Sequence, residues 1–124
     1  MMADGRTEEV YRGQRVLVTG ATGFAGGVLA RRLQEAGAAV RVLVRSPEKP
    51  AEKGLGPVDC VEGSVVDPVA VRRAVEGVDT VFHLAAVYRE GGIGDEVYGQ
   101  VHIEGTRNLC QASLDAGVRR FVHC

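Results

Sequence analysis

The chain has no excess charge of either sign, no long apolar run and no paired cysteine spacing. Each absence removes a class of function. Its 124 residues carry 15 Lys plus Arg against 16 Asp plus Glu, a net charge of −1. That balance gives nucleic acid or an anionic membrane nothing to be drawn to. The longest apolar runs are about five residues, against roughly 20 for a spanning helix. No membrane association is expected. The opening MMADGRTEEVYRGQ is polar and lacks the apolar stretch of a secretory signal. Residues 1–14 read as a solvated arm, and a cytoplasmic location is the expectation. Cys60, Cys110 and Cys124 are odd in number and form no CxxC pair, so neither a metal site nor a disulfide framework is expected. Three reduced thiols are expected, at least two of them in or near the core, where free Cys ordinarily sits.

What is present is the composition of one globular domain: 45% hydrophobic and 25% charged residues. The pattern alternates strand and helix. RVLVTG (15–20) predicts a first strand. FAGGVLARRLQEAG (24–37) predicts a helix, with Ala25, Val28, Leu29, Leu33 and Ala36 at helical spacing. AAVRVLVR (38–45) predicts a second strand. A loop with Pro47, Pro50, Gly54, Gly56 and Pro57 follows, then a third short strand over 58–63. Asp67 and Pro68 fit the N-cap and first turn of a helix. A fourth strand is expected over 79–86, a long helix over 95–116 with Tyr98, Val101, Leu109, Ala112 and Ala116 on one side, and a fifth strand from 119. Gly37, Gly77 and Gly117 each stand where a helix should stop and a strand should begin. This rhythm predicts an α/β fold with a parallel sheet, helices on both faces and strand order 3-2-1-4-5.

The densest local signal is VTGATGFAGG, residues 18–27. Gly20 can make the tight turn that ends the first strand. Gly23 lets the backbone approach a ligand closely, and Gly26 lets the helix pack tightly on the sheet. The N–H groups of Gly23, Phe24 and Ala25 are then expected to be free at a helix N-terminus, a seat for a pyrophosphate. The spacing is G-x-x-G-x-x-G rather than G-x-G-x-x-G, but it follows a strand and opens an amphipathic helix. No Gly-Lys-Ser/Thr follows, which excludes a P-loop.

With VRVLVR, VEGSVVDP, VFHLAA and VHIEGTRNL following in order, the chain resembles the N-terminal part of an extended short-chain dehydrogenase/reductase. More narrowly, it is similar to the NAD-dependent epimerase/dehydratase family, with its dihydroflavonol-reductase-like and hydroxysteroid-dehydrogenase-like branches, over roughly residues 14–124. The resemblance implies a Rossmann-type doubly wound sheet spanning 15–124, truncated after the fifth strand and without the C-terminal substrate lobe. It implies a dinucleotide contacted by Gly20, Thr22, Gly23, Phe24, Ala25 and Gly26. At the end of the second strand, where NAD binders of this fold usually place Asp or Glu, stand Arg45 and Ser46. A guanidinium there suits a 2′-phosphate, so NADP(H) is favoured over NAD(H). Ser64 departs from the family's usual Asp and could still accept a bond from adenine. Val65 would line the adenine pocket, and Leu84, Ala85 and Ala86 would run along the cofactor. Asp67 reads as a helix cap, His83 as a satisfied buried histidine, and Asn108 as a brace for its helix. Thr106 and Asn108 match the family, and His102 stands where the family often has Asn.

The family's chemistry rests on a Tyr-x-x-x-Lys pair, the Lys lowering the Tyr pKa. Here Tyr11, Tyr88 and Tyr98 face only Lys49 and Lys53, and no Tyr lies four before a Lys. No catalytic residue is therefore expected within the chain, which alone should bind cofactor without turnover. The parent activity implied is an NAD(P)-dependent oxidoreductase or epimerase. Its small-molecule substrate would be a sugar-nucleotide, flavonol-like or steroid-like carbonyl or alcohol. A second reading keeps the fold as a non-catalytic NADP-sensing module. A homodimer through the 95–116 helix is the partner expectation.

Overall fold

The computed structural model describes residues 5–21, 23–46, 55–56, 58–84 and 95–124, with side chains from residue 8 on and, in the last segment, at 99 and from 102 on. The elements run α1 (Gly5–Tyr11), β1 (Arg15–Thr19), α2 (Phe24–Glu35), β2 (Ala39–Val44), β3 (Asp59–Glu62), α3 (Pro68–Val75), β4 (Thr80–His83), α4 (Asp95–Ala116) and β5 (Arg120–His123). The five strands form one sheet in the order β3-β2-β1-β4-β5, all pairings parallel. This is the expected topology. The loop prolines 47, 50 and 57 and residues 85–94 lie outside the described residues.

β1 is central and fully buried over Val16, Leu17 and Val18. A strand covered on both faces reads as a continuous apolar run. Successive side chains point to opposite faces, so β1 feeds two cores. Leu17 joins Val71, Ala74, Val75, Val81 and Leu109 under α3 and α4. Val16 and Val18 join Ala30, Leu33, Val40, Val42 and Phe82 under α2. Gly37, Gly77 and Gly117 all take positive φ, at 88°, 73° and 72°, and release the chain from each helix toward the next strand. Asp67 caps α3, its Oδ1 accepting the Val69 N–H at 3.0 Å.

The far end of α3 is closed by a residue distant in sequence. Arg41 on β2 donates from Nη1 to the carbonyls of Ala74 at 3.0 Å and Glu76 at 2.6 Å. Its Nε donates to Asp59 of β3 at 2.8 Å. A guanidinium thus satisfies carbonyls that a helix end leaves without partners.

Three expectations need correction. Residues 1–14 are not simply an arm: residues 5–11 form α1, and the Tyr11 ring tilts against Phe82 at a centroid distance of 5.8 Å. The Gly13 N–H also donates to the Gly37 carbonyl at 3.0 Å and the Thr80 hydroxyl to Gln14 Oε1 at 3.2 Å, so the segment is tied to the body of the fold. Ala25 is exposed, and the buried stripe of α2 is Gly26, Gly27, Ala30 and Leu33. At its first turn the helix lies so close to the Gly20–Ala21 turn that glycines fill the contact, and farther along Ala30 and Leu33 pack into the core. Cys60 is half-buried, while Cys110 and Cys124 are exposed. Cys110 projects from the outer face of α4 next to buried Leu109, and Cys124 follows β5 at the sheet edge.

Candidate functional site

The C-terminal ends of β1, β2 and β4 meet where α2 leads to one side of β1 and β4 lies on the other. In open parallel sheets that divergence opens a crevice. Gly20, at φ 75°, turns the chain out of β1. Its carbonyl accepts the Gly23 N–H at 3.0 Å. Gly23 then serves as N-cap of α2 with an extended backbone and no side-chain cap bond. Two residues of α2 press on the same turn. A Cβ on Gly26 would collide with the Gly20 carbonyl, and one on Gly27 would stand 3.2 Å from the Ala21 oxygen.

The amide donors differ by one residue from expectation. The Gly23 N–H is used inside the turn, so the donors without an intrahelical acceptor begin at Phe24 and continue through Ala25 and Gly26. Phe24 and Ala25 are exposed at the N-terminus of α2. These donors, the positive end of α2 and the bare backbone at Gly20 and Gly23 fit a bound pyrophosphate. Thr22, Ala85 and Ala86 lie outside the described residues, as do Tyr88, Lys49 and Lys53.

The remaining candidates follow β2, β3 and β4 in the chain. Arg45 is exposed directly after β2 and forms no ion pair among the described residues, and Ser46 beside it is half-buried. Past β3, Ser64 Oγ accepts the Val66 N–H at 3.3 Å, closing a local turn. The Val65 side chain packs on α4, where a Cβ on Gly105 would lie 2.5 Å from Val65 Cγ2. Asn108 donates to the Val65 carbonyl at 2.9 Å and so braces α4, as expected.

At the end of β4, His83 is 2% exposed and fully engaged. Its Nδ1 lies 2.7 Å from Thr19 Oγ1 and its Nε2 lies 3.0 Å from Thr106 Oγ1. Leu84, half-buried, donates its N–H to Thr19 Oγ1 at 3.2 Å. The ring stacks on His123 with centroids 5.0 Å apart. Burial, and after it the neighbouring His123 and His102, push its pKa down from 6.5 to about 4. His83 is the satisfied buried histidine that was expected. Its two threonine partners were not foreseen, because they stand 64 and 23 positions away.

Comparison with known proteins agrees with this geometry. The model of the NAD dependent epimerase/dehydratase family matches residues 16–124. A 3-beta-hydroxysteroid dehydrogenase of Mycolicibacterium neoaurum is 42% identical over 116 residues, 88% of this chain and 31% of that protein. An epimerase from Methanothermobacter thermautotrophicus superposes with a TM-score of 0.81 at 30% identity, over 95% of this chain and 37% of its own. A short-chain dehydrogenase/reductase superfamily protein from Agrobacterium tumefaciens, solved with bound NAD, gives a TM-score of 0.75 at 35% identity, over 89% of this chain and 32% of its own. The chain spans about a third of the length of the curated relatives it matches. Among the described residues, no helix is long and apolar enough to cross a membrane.

Proposed function

The chain belongs to the NAD dependent epimerase/dehydratase family, and from that premise we propose that it forms the dinucleotide-binding unit of an NAD(P)-dependent oxidoreductase or epimerase. The observation that carries this reading is the seat of α2 on the Gly20 turn, where Gly26 permits a contact no other residue would allow. The amides of Phe24, Ala25 and Gly26 hold the pyrophosphate, and Gly20 and Gly23 leave it room, with Thr22 assigned to the same loop by its place in the sequence. Ser64 and Val65 are assigned to the adenine, and Leu84, with Ala85 and Ala86 next in sequence, to the segment that passes under the adenine-linked ribose and toward the nicotinamide. When bound, the nicotinamide supplies hydride exchange with a carbonyl or alcohol carbon. Relatives named 3-beta-hydroxysteroid dehydrogenase and dihydroflavonol 4-reductase, and a solved dTDP-glucose 4,6-dehydratase of similar fold, support a steroid-like, flavonol-like or sugar-nucleotide substrate respectively. Within these 124 residues no Tyr lies four before a Lys. The chain by itself therefore binds cofactor without turning over substrate.

The exposed Arg45 beside Ser46, without an ion pair among the described residues, favours NADP(H) over NAD(H), since a guanidinium pairs with a 2′-phosphate. The test is a side-by-side titration of the chain with NADPH and NADH. NADPH should bind at least about tenfold tighter, the worth of one charge-assisted hydrogen bond. Arg45→Asp should abolish that preference. A folded chain that binds neither dinucleotide would refute the reading. A preference for NADH would refute the role of Arg45 alone.

A further inference from the structure

The two threonines that grip the His83 ring belong to different elements, Thr19 to the end of β1 and Thr106 to α4. We propose that His83 is a positioning residue: as a neutral imidazole protonated on Nε2, it clamps Thr19 of β1 to Thr106 of α4 and thereby fixes the start of the Gly20 turn. Its effect on nucleotide affinity rests on the dinucleotide reading above. The clamp itself does not.

Donor and acceptor bookkeeping assigns the tautomer. The Thr19 hydroxyl has one proton and already accepts the Leu84 N–H. Thr19 is 1% exposed, so water cannot take that proton. The acceptor at hand is His83 Nδ1, 2.7 Å away. A buried donor left unmatched is costly, so Nδ1 stays bare. The ring proton then sits on Nε2 and is donated to Thr106 Oγ1 at 3.0 Å. Thr106 is half-buried, and its own proton has access to solvent. The opposite tautomer would strand the Thr19 proton without an acceptor among the described residues.

The clamp has leverage over the glycine turn. The Thr19 carbonyl also receives the Leu84 N–H, at 3.3 Å, so main chain and side chain of Thr19 are both tied to the end of β4. The next residue is Gly20, whose carbonyl holds the Gly23 N–H and abuts Gly26. A shift of Thr19 therefore moves the turn on which α2 is seated. The titratable groups set against the ring are His123 on β5 and His102 on α4, both of which oppose a second proton on it. The Phe121 ring of β5 is tilted against it at 56°, with centroids 6.2 Å apart.

The test uses the 124-residue chain labelled with ¹⁵N-histidine, together with Thr106→Val and Thr106→Ser. Imidazole ¹⁵N NMR should show His83 with an unprotonated Nδ1 and a protonated Nε2 from pH 8 down to pH 5.5. Thr106→Val should leave Nδ1 bare, since Thr19 still needs it, but should shift the Nε2 resonance as its proton loses its acceptor, and should weaken binding of NADPH by about tenfold, the scale of one hydrogen bond. Thr106→Ser should restore both. A protonated Nδ1 would overturn the clamp. So would a Thr106→Val chain with an unchanged Nε2 resonance and unchanged affinity. If the unaltered chain is folded and binds no dinucleotide, the proposed function fails, while the tautomer measurement still decides the clamp.

Discussion

Gly26 faces the Gly20 carbonyl so closely that a methyl group at residue 26 would collide with it. The obstacle is backbone, not a side chain that can swing aside. α2 would have to lift from the end of β1, and the amides of Phe24 and Ala25 would lift with it.

Gly26→Ala is therefore expected to lose about 1–3 kcal/mol, the usual cost of overpacking, and to weaken dinucleotide binding as well. Gly27→Ala meets the Ala21 oxygen at 3.2 Å, a contact that a few tenths of an ångström relieve. Thermal melts of the two variants should differ clearly, with Gly27→Ala the milder. Equal melting temperatures would mean that α2 is not seated as described.

Two further glycines should respond with opposite signs. Gly37 holds φ 88° behind α2, a conformation that costs an L-residue about 1–2 kcal/mol. Gly99 lies within α4, and a Cβ there meets nothing within 4 Å. Gly37→Ala should lower the urea midpoint. Gly99→Ala should raise it, through about 0.5–1 kcal/mol of added stability, because alanine loses less backbone entropy in a helix. Unchanged m-values would assign both shifts to stability.

Arg41 and Asp59 form an ion pair whose two members matter unequally. Arg41 also closes the end of α3 through the Ala74 and Glu76 carbonyls, whereas the Asp59 side chain is 63% exposed. Arg41→Met should cost about 1–3 kcal/mol, the range for hydrogen bonds from a charged donor and for polar groups left unmatched. Asp59→Asn should cost no more than about 1 kcal/mol, as for an exposed pair. Chemical denaturation of both variants checks the ranking, and a larger loss from Asp59→Asn would refute it.

His83 makes stability depend on pH in a defined window. Its pKa lies near 4 in the fold, against 6.5 for an unperturbed histidine. Between these values the unfolded chain binds the proton more readily, so acid favours unfolding. The contribution is complete above pH 6.5 and is lost as pH falls toward 4, on the order of 3 kcal/mol in all. Denaturation midpoints measured from pH 7 to pH 4 should fall more steeply for the native chain than for His83→Gln. Parallel curves would place the acid sensitivity elsewhere.

The sequence determined what short-range rules can fix. Helix stops at Gly37, Gly77 and Gly117, the Asp67 cap and the glycine spacing of the β1 turn each depend on a few neighbouring residues. The alternation of elements then leaves a parallel sheet as the solution, and its strand order follows from where the glycine turn must lie. The tertiary structure decided which side chains meet. Thr19 finds His83 because β1 and β4 pair in register, Thr19 opposite His83. Arg41 reaches the end of α3 because β2 lies beside β3. Tyr11 docks on Phe82 from a segment that reads as polar. Such contacts join positions dozens of residues apart. No local propensity encodes them, and they exist only once burial and strand register have fixed the backbone in space.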